Sequence, residues 1–198
     1  MSVLGELQPN KVFKYFEEIC SIPHGSRNLQ QISDYLVDFA KAHELKYRQD
    51  EDLNVIIWKD GSKGYEASEP VILQGHMDMV AVKEADCDKD MEKEGLDLEI
   101  NGDYISAKGT SLGGDDGIAV AYTLAVLDDE EMAHPPIEAI FTVNEEIGML
   151  GAATIDVSDL KGRLFMNMDS EDEGVFTVSC AGGASVICKI PYETETVN

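Results

Sequence analysis

The chain has 198 residues, 43% of them hydrophobic, which is enough to bury a substantial core. Fifteen basic residues stand against 39 acidic ones, and the net charge at pH 7 is −24. Binding to nucleic acid or to an anionic membrane needs positive charge, so this balance argues against both. No apolar run is long enough to cross a membrane. The absence of a signal-peptide pattern and of any Cys-x-x-Cys pair predicts a cytoplasmic protein.

The first part of the chain shows helical patterns followed by strand patterns. Apolar residues at helical spacing predict helices over residues 9–20 and 28–43, with a loop around Pro23 and Gly25 between them. Apolar runs then predict buried strands at 53–59 and 70–74. The segment LDLEINGDYISAKG alternates in polarity around Asn101–Gly102 and predicts a β-hairpin.

Strands and a helix continue to alternate in the second part. GGDDGIAVAYTLAVL predicts a glycine-rich loop followed by an apolar helix, and AHPPIEAIFTV and GRLFMNMD each contain an apolar strand. Two more strands are predicted between residues 174 and 191, interrupted at Gly182–Gly183. This order favours an α/β sheet with helices on its faces. The sequence stops just after a strand and without a closing helix, so we expect a fragment.

Polar side chains follow the predicted strands or start the predicted helix at four places. Ligands of open α/β sheets collect at the carboxyl ends of the strands, so we expect these side chains to converge there. The four places are His76 with Asp78, Asp115 with Asp116, Glu145 with Glu146, and Asp169.

Each place also has an interpretation without chemistry. His76 and Asp78 would form an ordinary hydrogen-bonded surface pair, and Asp115–Asp116 would cap a helix. Glu145–Glu146 would be solvated charges in a turn, and residues 169–173 an acidic loop. Taken together, however, one imidazole and several carboxylates are the ligand chemistry of a divalent transition metal.

Several carboxylates in one crevice repel each other unless cations neutralise them. Two metal ions about 3.5–4 Å apart, sharing one bridging carboxylate, would do so. Of the adjacent glutamates, one would bind metal while the other takes a proton from the activated water. Asp78 is the natural partner to orient the second ring nitrogen of His76.

The motifs GHMD, GGDDG, TVNEEIGMLGA and NMDSEDEG occur in the order found in co-catalytic zinc peptidases of the aminoacylase/carboxypeptidase type. More narrowly, GTSLGGDDGIAVA, NMDSEDEGVFTVSCAGG and the opening FEEICSIPHGSRN resemble the aminoacyl-histidine dipeptidases, also called Xaa-His dipeptidases. The resemblance runs along essentially the whole chain. It implies a mixed, largely parallel sheet with helices on both faces, as in the catalytic domain of these enzymes.

The resemblance also implies roles for individual residues. His76 and Asp169 would bind one metal, Asp115 would bridge, and Glu146 would bind the second metal. Glu145 would be the general base and later the acid for the leaving amine, and Asp78 would orient His76. Asp116, at a position where relatives usually carry another residue, would support the site or cap the helix. The metals would be two zinc ions, with cobalt and manganese as alternatives.

The family's second metal takes a further histidine from near the far end of a longer chain. His24, His43 and His134 match no such position. The resemblance therefore implies that residues 1–190 are the N-terminal part of the catalytic domain and that 191–198 begin the connection to an absent lid domain. Such a fragment is expected to bind zinc weakly at most and to have little or no peptidase activity.

The implied reaction is hydrolysis of a dipeptide with a C-terminal histidine, such as β-alanyl-histidine. The full-length protein would act on small peptides, with a homodimer left open as its assembly. Three alternatives remain. Related aminopeptidases place a long insertion between the histidine and the bridging aspartate, whereas here only 39 positions separate His76 from Asp115. Tripeptidases have similar spacing and are disfavoured by the MDSEDEG and CAGG stretch. A non-catalytic metal-binding fragment is the third.

Overall fold

The computed structural model describes residues 2–170, 174–179, 182–184 and 186–193. Its helices and strands are, in chain order, α1 (Asn10–Cys20), α2 (Gln30–Ala42), β1 (Lys46–Gln49), β2 (Val55–Lys59), β3 (Val71–His76), β4 (Leu98–Asn101), β5 (Tyr104–Ala107), α3 (Gly114–Leu127), β6 (Ile137–Thr142), α4 (Leu150–Thr154) and β7 (Leu164–Asn167).

Five of these strands form one sheet in the order β1-β2-β6-β3-β7, and β4 and β5 form a separate hairpin. Strands β6, β3 and β7 run parallel, β2 is antiparallel to β6, and β1 is antiparallel to β2. Four of the five strands therefore point the same way, which confirms the predicted mixed, largely parallel sheet. His76 lies opposite Thr142 in the β3–β6 register, so these two strands end at the same level.

The two faces of the sheet are covered differently. Apolar residues of α1, α2 and α3 join one face of the central strands, including Ile57, Leu73 and Phe141, in the main hydrophobic core. The alternate residues of the same strands form a smaller cluster on the other face, where Ile155 and Leu160, just after α4, pack against it. Every residue of β6 is buried because this strand is covered on both faces and paired at both edges.

A buried acid attaches the segment before β7 to the sheet. Glu138 in β6 is only 3% exposed. Its carboxylate accepts hydrogen bonds from the main-chain N–H groups of Lys161 and Gly162 at 2.9–3.0 Å. Hydrogen bonds to a buried charged acceptor are stronger than those between neutral groups. Glu138 therefore fixes the point from which β7 starts.

Most predicted elements are present, and three differences have physical reasons. β1 was missed because its residues are polar and half-exposed or exposed, and it is held by main-chain pairing with β2. α4 was missed because it has only five residues. The two strands predicted between residues 174 and 191 are wrong for the described residues there, which have no strand structure. Their apolar side chains, such as Phe176 and Val178, are exposed, and no described strand pairs with them.

Among the described residues, no helix combines the length and the apolar character that a membrane span requires.

We expect Glu138→Gln to lower the free energy of unfolding by about 2 kcal/mol, because a buried amide would place its NH2 group against main-chain N–H donors. Urea unfolding measures this loss. Glu69→Gln is the matched control, since Glu69 is exposed and lies 3.7 Å from Arg163 of the same segment; its effect should stay within about 0.5 kcal/mol. Equal stability of the two variants would contradict the role given to Glu138.

Candidate metal centre

His76 is the last residue of β3, and its side chain is buried. Its Nδ1 lies 2.9 Å from the main-chain carbonyl oxygen of Asp78 and 3.5 Å from the Asp78 carboxylate. A carbonyl only accepts, so Nδ1 carries the hydrogen in this contact. Nε2 lies 2.9 Å from Oδ1 of Asp115 and 3.8 Å from Oε2 of Glu145. The ring therefore presents Nε2 to the carboxylates.

The start of α3 brings two aspartates to His76. Gly113 has φ of +69°, and a Cβ there would lie 2.8 Å from Sδ of Met79, so both conformation and space require glycine. After Gly114, Asp115 and Asp116 have non-helical backbone angles, and the peptide bond between them is cis. The side chain of Asp115 is 58% exposed and faces Nε2 of His76.

Asp116 is buried and contacts main chain rather than solvent. Its Oδ2 accepts a hydrogen bond from the main-chain N–H of His76 at 3.1 Å. This contact is close because Gly75 has no side chain; a Cβ there would lie 2.7 Å from the same oxygen. The N-cap of α3 is Gly113, without a side-chain capping bond, so of the two roles considered for Asp116 the structure gives it the supporting one.

The turn after β6 carries the two glutamates and is held by Asp78. The main-chain N–H groups of Glu145 and Glu146 donate to the Asp78 carboxylate at 2.9 and 3.4 Å. Asn144, just before them, has φ of +54°, which turns the chain out of the strand. A hydrogen bond from the hydroxyl of Ser26 at 2.8 Å also reaches this carboxylate.

Asp169 completes the cluster from the end of β7. In one group of potential ligands, atoms of His76, Asp115 and Glu146 lie within 4.8 Å of one another; in a second group, the same holds for His76, Glu145 and Asp169. All five carboxylate and imidazole side chains thus converge on one edge of the sheet. Glu145 and Glu146 are each in one group, so these distances do not separate a ligand from a base.

The electrostatics of the cluster reflect many carboxylates around one ring. Burial opposes a charge on His76, but the Asp78 contact and the charge of Asp116 outweigh it and raise its pKa to about 10. Burial, opposed by His76 and assisted by Asp169, raises the pKa of Asp116 to about 7. Burial also raises the pKa of Glu145 and Glu146, with further contributions from nearby carboxylates. The site therefore favours bound protons or cations.

Three outcomes bear on the sequence predictions for this site. The six predicted residues (His76, Asp78, Asp115, Glu145, Glu146 and Asp169) lie together. Within the described part of the chain, His24, His43 and His134 belong to neither ligand group. Sequence reasoning missed Ser26 and Asn144, which hold Asp78 and the turn of the glutamates. The segment with Ser26 was predicted only as a loop marked by Pro23 and Gly25.

Comparisons with known proteins agree with the motif resemblance. No protein-family model matches the chain. It is 39% identical over 197 residues to the cytosol non-specific dipeptidase of Escherichia coli, covering 100% of this chain and 41% of that protein. The crystal structure of aminoacylhistidine dipeptidase from Vibrio alginolyticus matches at 40% identity with a TM-score of 0.84, over 86% of this chain and 35% of that one.

The chain thus spans about two fifths of the length of the relatives it matches, and the resemblance to the aminoacyl-histidine dipeptidases is confirmed. A tripeptidase from Staphylococcus aureus matches with a TM-score of 0.69, over 85% of this chain and 45% of that one, at 23% identity. That likeness shows a shared fold only. The fold of the chain is that of the matching part of the aminoacylhistidine dipeptidase, as the motifs predicted.

Asp78→Asn should lower the free energy of unfolding by about 2 kcal/mol at neutral pH, because its buried amide NH2 group cannot accept the main-chain hydrogen bonds of the glutamate turn. Chemical unfolding of the protein without added metal measures this directly. Asp38→Asn is the control, since Asp38 is 73% exposed and pairs only with Lys41 among the described residues; its effect should be within about 0.5 kcal/mol. Equal losses would show that Asp78 does not organise the site.

Proposed function

We propose that the protein acts as a metal-dependent dipeptidase. The observation that carries this proposal is the convergence of His76 with four exposed or half-exposed carboxylates at the carboxyl ends of β3, β6 and β7 and the start of α3. In open α/β sheets this edge is where ligands bind. Both relatives reported above are named as dipeptidases, which supports peptide hydrolysis as the reaction class.

The donor set fits divalent transition metals, and zinc is the metal proposed, with cobalt and manganese as alternatives. Imidazole nitrogen and carboxylate oxygen are ligands that zinc takes in catalytic sites. His76 and Asp169 would hold one ion and Glu146 the other, with Asp115 between them. When bound, such ions polarise a carbonyl group and lower the pKa of water. The protein supplies the orientation, since Nδ1 of His76 lies 2.9 Å from the main-chain carbonyl of Asp78 and 3.5 Å from its carboxylate.

Glu145 is proposed as the group that accepts and returns the proton. A general base works best when its pKa lies near the working pH, and burial raises the pKa of Glu145 above its ordinary value. His76 opposes this shift, while Asp169 and Asp78 add to it by repulsion. Its neighbour Glu146 would remain a ligand. The half-buried Glu145 can receive a proton from water and deliver it to the leaving amine.

Dipeptides are the proposed substrate class, and those ending in histidine are the narrower choice. The 40% identity to the aminoacylhistidine dipeptidase supports this choice. The other relative's name says that it is non-specific, so the histidine preference needs its own test. We further propose that residues 1–190 belong to the catalytic domain, that 191–198 lead towards a lid domain, and that the protein works in the cytosol.

Zinc titration by calorimetry tests the metal centre directly. We expect this chain to bind zinc weakly through His76, and His76→Asn to weaken binding further, by at least about tenfold, because it removes the only histidine that belongs to the two ligand groups in the described residues. His43→Asn is the control, since His43 lies at the end of α2 beside Asp128. No zinc binding by the unmodified chain, or equal binding by the two variants, would contradict the metal centre.

Glu145→Gln in the full-length protein should keep zinc binding while turnover of a Xaa-His dipeptide falls at least about 100-fold, because the amide cannot accept a proton. Rates on β-alanyl-histidine, other dipeptides and tripeptides, with zinc content measured in parallel, check both the role and the substrate class. Glu130→Gln, a change in an exposed acid between the end of α3 and the start of β6, should leave the rates unchanged. Unchanged turnover in Glu145→Gln would remove it from this role, and faster hydrolysis of tripeptides would favour the tripeptidase alternative.

A further inference from the structure

The loop between α1 and α2 is fastened to the chain just after β3. The main-chain N–H of Met79 donates to the carbonyl of His24 at 3.2 Å, and the N–H of Ser26 donates to the carbonyl of Met79 at 3.2 Å. Gly25 lies between these bonds, and a Cβ there would be 2.6 Å from that of Ala81. The loop therefore runs against the segment that contains His76 and Asp78.

The same loop also contacts the turn after β6. The main-chain N–H of Arg27 donates to Oδ1 of Asn144 at 2.8 Å. Both residues have positive φ angles, +72° and +54°, which cost free energy in residues other than glycine. Their contact joins two such residues directly beside Ser26 and Glu145. The loop thus connects the two turns that carry the candidate ligands and base.

Within this loop, Ser26 makes the side-chain contact that reaches the site. Its hydroxyl donates to Oδ2 of Asp78 at 2.8 Å, whereas the N–H of Glu146 approaches that oxygen at only 3.4 Å. The other oxygen, Oδ1, accepts from the N–H of Glu145 at 2.9 Å. The hydrogen bond from Ser26 is therefore the shorter of the two that fix Oδ2. Without it, the carboxylate could rotate, because one short bond to Oδ1 would remain.

We propose that Ser26 is a positioning residue of the metal centre. By fixing the Asp78 carboxylate, its hydroxyl aligns the main chain of the glutamate turn. The same carboxylate lies 3.5 Å from Nδ1 of His76, so its orientation also sets the surroundings of the ring. This inference rests on the proposed function, because the alignment matters for a bound metal ion. The side-chain hydrogen bond of Ser26 goes to Asp78 and not to a proposed ligand atom, so Ser26 acts through Asp78.

Zinc affinity separates this role from a general effect on stability. Substituting a residue that hydrogen-bonds to a metal ligand weakens metal binding about 10–100-fold. Ser26 contacts Asp78 and not a ligand, so we expect the smaller effect of about fivefold weaker zinc binding in Ser26→Ala. Ser26→Thr, which keeps the hydroxyl, should bind as the unmodified chain does. Ser33→Ala is the matched control: Ser33 is buried and its hydroxyl donates to the carbonyl of Leu53 at 2.7 Å, outside the loop and the site. Its zinc affinity should not change.

Cobalt absorption supplies a second readout, because the visible bands report ligand geometry. Ser26→Ala should change the bands of the cobalt-loaded chain, and Ser33→Ala should not. If Ser26→Ala does not fold, the pair Ser26→Thr and Ser26→Val makes the same comparison, since the two side chains have the same shape and differ in the hydroxyl.

Three results would overturn the inference. One is normal zinc affinity and an unchanged cobalt spectrum when the hydroxyl at position 26 is removed; the metal centre itself would then stand. Another is an equal loss of affinity in Ser33→Ala, which would reflect stability alone. The third is no zinc binding by the unmodified chain, which would also contradict the proposed function.

Discussion

The buried carboxylate of Asp78 connects three segments that are far apart in the sequence. It lies beside the ring of His76, accepts the main-chain N–H groups of Glu145 and Glu146, and accepts the hydroxyl of Ser26. A buried charge is tolerated only when such donors surround it. Burial alone would raise the pKa of Asp78, but these hydrogen bonds hold it below its ordinary value. The fold therefore satisfies this carboxylate, and the carboxylate in turn orders the site.

The sheet makes this arrangement available because parallel strands end on the same side. His76 and Thr142 face each other in the register of β3 and β6, so the turns that follow begin at the same level. The absence of a side chain at Gly75 then lets Asp116 approach the main chain of His76. Packing of α3 on β3 also brings Asp115 to the imidazole ring of His76. The positions of the candidate ligands follow from register and close packing.

Sequence reasoning succeeded where a pattern has a direct physical cause. Apolar spacing predicted the core elements, and charged groups after apolar strands are costly enough to indicate a site. The predictions failed where strand pairing decides whether a strand forms. β1 is polar and depends on pairing with β2. The segment between residues 174 and 191 has the pattern of strands, but no described strand pairs with it. Ser26 and Asn144 were missed for another reason. A small neutral residue in a loop carries no signal until its partner, 52 positions away for Ser26, is known.

The charge of the site explains why its order must come from the main chain. Burial raises the pKa values of Asp116, Glu145 and Glu146, and repulsion from neighbouring carboxylates adds to each shift. His76 opposes all three shifts as a positive partner among the described residues. A proton on His76 and a divalent cation would compete for the same place, because Nε2 faces the carboxylates. The main-chain and Ser26 hydrogen bonds to Asp78 are made by protein groups alone. They hold the glutamate turn and the histidine close together before a cation binds. This lowers the conformational entropy that is lost on binding.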